Sequence, residues 1–71
     1  MIEFRVIDLQ SELVEPAAHF VKASTPEAAA RKALGADLVR SGRPKNVRAR
    51  VYFQQPDQPM TMVRLYERAE P

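Results

Sequence analysis

Ser24-Thr25-Pro26-Glu27-Ala28-Ala29-Ala30-Arg31-Lys32-Ala33-Leu34 is the stretch of this 71-residue chain that reads as helix, and the segments flanking it alternate like strands. A residue before proline is pushed towards the extended region, the backbone that an N-cap needs. Thr25 as cap and Pro26 at the first helical position therefore fit together. Ser24 to Glu27 also matches the S-x-x-E capping box, which would start the helix one residue earlier. Ala28 to Leu34 are mostly strong helix formers. Ala30, Leu34 and Leu38 recur every four residues as a narrow apolar stripe whose small side chains let a helix sit close to a sheet. Gly35 offers a left-handed cap after Leu34. Ala36 to Val39 nevertheless keeps helical content, and Ser41-Gly42-Arg43-Pro44 is the stronger stop. The helix is therefore expected over 26–41, at roughly 1 kcal/mol for a glycine inside it.

Working outward, residues 46–54 alternate apolar with polar as a strand does. Gln55-Pro56-Asp57-Gln58-Pro59 cannot continue it, and residues 60–67 resume the pattern, so these two strands form a hairpin. On the other side, Ile2, Phe4 and Val6 alternate with Glu3 and Arg5 over 2–9. His19, Val21 and Ala23 alternate with Phe20 and Lys22 over 17–23. Gln10 to Pro16 suits a connection. The expected fold is α+β in a single domain, 1–71. One helix packs on one face of a mainly antiparallel sheet of three or four strands, in the order ββαββ, or βαββ if 17–23 is irregular.

One helix covers one face of such a sheet, and period-two alternation specifies what the other face shows. With Val47, Ala49, Val51, Phe53, Val63 and Leu65 towards the helix, the outward set is Arg48, Arg50, Tyr52, Gln54, Met62, Arg64, Tyr66 and Arg68, joined by Glu3 and Arg5. Lys22 included, this face carries six positive side chains and one acid. Arg48, Arg50, Tyr52, Arg64 and Tyr66 are the candidate binding residues, with Arg43, Lys45 and Arg40 extending the path at the sheet edge. Arginine attracts phosphate and tyrosine offers a stacking platform for unpaired bases, so RNA or single-stranded DNA is one candidate partner. Homodimerisation or binding of another protein is the alternative: Phe20, Met62, Tyr52 and Tyr66 ringed by arginine match the composition of an interface core. A merely solvated face is the third reading, because arginine and tyrosine are good strand residues whatever they bind.

The totals narrow the function classes. A chain this short buries only about 60% of its unfolded surface, and without cysteine it has no disulfide to compensate. Net charge is +2, unevenly spread. Residues 1–39 carry four basic and six acidic side chains, a net of −2; residues 40–71 carry seven and three, a net of +4. Glu3, Arg5 and Asp8 interrupt the apolar residues of Met1 to Leu9, unlike a secretory signal, and no run approaches the roughly 20 apolar residues that span a bilayer. A cytoplasmic protein without a membrane role is expected. His19 is expected to face the helix as a structural residue, and no other metal ligands gather near it. With two glycines, no phosphate loop and no cysteine, the usual parts of nucleophilic and nucleotide-dependent catalysis are missing. Glu12 and Glu15 sit in a polar connection, where solvated acids belong. The expected role is a non-catalytic binding or assembly module with no cofactor and no metal. From Val21 to Val51, a short strand, the capped start Thr25-Pro26-Glu27-Ala28-Ala29, a basic turn and a strand together resemble the small archaeal ribosomal protein LX over under half the chain. That resemblance implies RNA binding.

Overall fold

A computed structural model describes residues 1–9 and 18–68. The connection containing Glu12, Glu15 and Pro16 lies outside the described residues. Four strands form one sheet: β1 (Ile2–Asp8), β2 (Ala18–Ala23), β3 (Val47–Phe53) and β4 (Thr61–Tyr66). Their spatial order is β2-β1-β3-β4, and every neighbouring pair is antiparallel. The first strand of the chain is thus central. β2 and β3 run the same way on either side of it, and helix α1 (Pro26–Leu34) forms the crossover between them. The α+β arrangement of one helix on a four-stranded antiparallel sheet is the expected one, in the ββαββ order.

Thr25 caps α1 as its sequence context requires. Its backbone is extended (φ −142°, ψ 157°), and its Oγ1 accepts the Ala28 N–H at 3.1 Å, with Pro26 in the first turn. The helix ends at Leu34, not near residue 41. Gly35 takes the left-handed conformation (φ 68°) and donates its N–H to the Arg31 carbonyl at 2.9 Å, closing the last turn. The residues after it serve the sheet instead. Leu38 enters the core, and Val39 exchanges two backbone hydrogen bonds with Tyr66, lengthening the β4 edge by one bridge.

The core lies between α1 and one face of the sheet, and Phe4, Val6, Val51 and Leu65 are its largest fully buried side chains. Phe53 packs beside Phe4, with ring centroids 5.1 Å apart and planes inclined at 56°. Ala23, Ala29, Ala30 and Ala49 are equally buried. Small side chains on both surfaces let the helix lie close, and Lys32 ties it to the outer strand by donating to the Lys22 carbonyl at 2.7 Å.

Two departures from strict alternation shape the far end of the hairpin. The β3–β4 register shifts between Val47 and Ala49: Ala49 opposes Leu65, but Val47 opposes Tyr66, so β3 carries one extra residue. Val47 therefore leaves the helix-side set. A short 3₁₀ turn, Pro44–Asn46, feeds into it, and before that turn the chain passes directly over Tyr66. A Cβ built on Gly42 would lie 2.8 Å from the Tyr66 Cβ and 3.0 Å from its Cγ. Those atoms sit at the base of the side chain and have little room to move. Gly42→Ala is expected to cost about 1 to 3 kcal/mol, the usual range for overpacking, and to lower the urea midpoint accordingly. An unchanged midpoint would show that this crossing is loose.

Candidate functional site

On the face away from the helix, the strand pairing sorts side chains into rows running across the sheet. Phe20, Arg5, Tyr52 and Met62 oppose one another through β2, β1, β3 and β4 and make the first row. Ala18, Ile7, Arg50 and Arg64 make the next. Neighbouring members of a row are about 5 Å apart, and the two rows are roughly 7 Å apart along the strands. Beyond them, the extra residue of β3 brings Val47 beside Tyr66, near Leu9, whose N–H continues the β1–β3 ladder to the Arg48 carbonyl.

The first row is aromatic and exposed. Phe20 retains 64% of its surface, Met62 37%, and Met60 at the nearby loop end 59%. The Arg5 guanidinium carbon lies 5.5 Å from the Tyr52 ring centroid, a cation–π contact that holds both groups upright. A cleft of about 340 Å³ opens here, lined by Phe20, Arg5, Tyr52, Met60, Gln54 and Glu3 among others. That volume is at the small end for ligand sites. The only acid on this part of the face is Glu3, and it stands opposite Lys22.

The second row is cationic. Arg50 and Arg64 are both exposed and directly opposed, and neither has a hydrogen-bond or ion-pair partner among the described residues. Like charges in such a pair destabilise a sheet. Both line a second cleft, of about 220 Å³, together with Leu9, Pro44, Val47 and Tyr66.

Of the residues expected to build this face, Arg50, Tyr52, Arg64 and Tyr66 are brought together on it. Arg43 and Lys45 flank Pro44, exposed at the rim of the second cleft. Arg48 is not on the face. The bulge turns it to the edge, where Nε meets Asp8 Oδ1 at 3.2 Å and Nη1 meets Glu67 Oε1 at 3.5 Å, leaving its side chain 23% exposed. The hydrogen bond from Asp8 raises its pKa further. Arg68 is likewise drawn off, to Asp37 at 3.2 Å, and Arg40 binds Glu27 at 3.0 Å on the helix side. The face thus keeps four cations, Arg5, Lys22, Arg50 and Arg64, against Glu3. Missing from the expected binding set are Arg5 and Phe20, which the central position of β1 aligns with Tyr52.

No family model, curated protein or solved structure matches this chain. The resemblance to the ribosomal protein therefore carries no family assignment, and the face has to be read from its own chemistry.

Acids on the other side are largely occupied. The hydrogen bond from Arg31 and the nearby charge of Arg68 hold the Asp37 carboxyl below its ordinary value. Burial alone would push Glu27 up, but the Arg40 hydrogen bond, a backbone hydrogen bond and the charge of Arg40 outweigh it and leave the group lowered. His19 has the expected helix-side register, opposite Val6, yet it is exposed. Among the described residues no three metal-ligating side chains converge, and no helix is long and apolar enough to cross a membrane. The open face offers stacking and anion attraction, and its chemistry is that of recognition.

Proposed function

We propose that the protein is a non-catalytic module that binds single-stranded RNA or DNA across the open sheet face. The observation that supports this most is the adjacency of the two rows. Phe20 and Tyr52, with Arg5 between them, present aromatic faces to bases, while Arg50 and Arg64 one row away meet the phosphates. A duplex keeps its base faces stacked inside, so it offers only the phosphates to this surface. Unpaired strands use both rows.

Fluorescence anisotropy with a short mixed-sequence oligonucleotide at about 50 and about 200 mM salt tests this. If three cations each neutralise a phosphate, the single-strand slope is about −2 and affinity falls roughly 20-fold over that interval. Absence of binding at the lower salt ends the proposal. A second reading keeps the same face and changes the partner: exposed Phe20, Met60 and Met62 suit another protein or a second copy. Sedimentation distinguishes it. A mass well above 8.1 kDa without nucleic acid, lowered by Phe20→Ala, favours self-association.

A further inference from the structure

We infer that the Arg50–Arg64 cleft is a seat for a terminal phosphomonoester, so that the protein prefers strands bearing an end phosphate; this rests on the nucleic-acid reading above. Two guanidinium groups facing each other across β3 and β4, with no acid beside them among the described residues, repel. An internal phosphodiester carries a single negative charge and relieves that repulsion by half. A phosphomonoester carries nearly two negative charges at neutral pH, with three strong acceptor oxygens, and matches the pair in charge.

Shape points the same way. The cleft lies beyond the aromatic row along β3 and is bounded on the far side by Pro44 of the 3₁₀ turn and by Tyr66, over which the chain crosses at Gly42. Its volume of about 220 Å³ holds roughly seven water-sized groups of about 30 Å³ each, enough for a phosphate and part of its hydration. Arg43 and Lys45, on either side of Pro44, add positive potential at the rim. A base resting on Tyr52 leaves its own phosphate about one row away, over Arg50 and Arg64, with the turn as a wall behind it.

The test compares three oligonucleotides of one sequence, ending in a 5′-phosphate, a 3′-phosphate or only hydroxyls. One phosphorylated form is expected to bind at least about fivefold more tightly than the hydroxyl form, the gain of one further charge-assisted contact, and added inorganic phosphate should erase the difference. Arg64→Ala should abolish the preference while still binding the hydroxyl-ended strand. Because Arg64 is exposed and opposed by a like charge, that variant should melt no lower than the parent. Equal affinity for all three strands, or a preference that survives Arg64→Ala, overturns the inference and leaves the nucleic-acid reading standing. No binding of any strand overturns both.

Discussion

Phe4→Ala is expected to leave much of the protein unfolded at 25 °C. Phe4 is 1% exposed, sits on a central strand opposite Val21 and packs against Phe53. Truncating such a phenylalanine costs about 3 to 5 kcal/mol, from lost transfer free energy and the cavity left behind. A 71-residue domain has about 4 to 11 kcal/mol in total, and without a disulfide it belongs in the lower part of that range. The four buried alanines make matters worse. They bring helix and sheet so close that the surroundings have little freedom to collapse into the gap. Urea unfolding followed by circular dichroism measures the loss, with Phe20→Ala as control, since an exposed residue changes stability by only about 0.5 kcal/mol or less. If the two variants unfold at the same midpoint, Phe4 is not the centre of the core.

Removing both aromatic platforms, Phe20→Ala with Tyr52→Ala, should weaken single-strand binding by roughly 30-fold or more. Each base stacked on an aromatic side chain contributes about 1 to 3 kcal/mol, so two contribute at least about 2. The useful feature of this variant is what it preserves. No charge is lost, so the dependence of affinity on salt should stay parallel to that of the parent, whereas Arg64→Ala flattens it. Arg5 lies between the two rings and contacts one of them, so the double change need not equal the sum of the singles. Affinity equal to that of the parent would mean that the bases do not rest on this row.

The strands and the helix start were legible in the sequence because each depends on local chemistry. Alternation of period two marks the strands, and Thr25-Pro26 couples a cap to the one residue that fits after it. The helix end was less so. Gly35 and the Ser41-Gly42-Arg43-Pro44 run are both valid stops, and the choice was made by partners outside the segment: Asp37 drawn to Arg31 and Arg68, Leu38 into the core and Val39 onto Tyr66. The placement of Arg48 was hidden for a related reason. Val47 to Phe53 alternates without a break, so nothing in the pattern marks a bulge. The acids that claim Arg48 lie 40 and 19 residues away in the chain. Arg5 and Phe20 became part of the site through strand order, which alternation does not encode. Arg50, Tyr52, Arg64 and Tyr66 needed only the parity of one hairpin.

The central position of β1 also decides how the molecule must fold. Its seam with β3 joins Asp8 to Ala49, 41 positions apart, and Arg5 to Tyr52, 47 positions apart, whereas the two outer seams close over short connections. The β1–β2 and β3–β4 pairs are therefore local assemblies, each with a greasy side still wet. Closing so long an excursion costs entropy before any contact offsets it, and such non-local pairing is what slows a small domain. The rate-setting event is the docking of one hairpin on the other, with α1 as the strap between them: Val6 and Val51 leave water together, in the same step that lays Arg5 beside Tyr52.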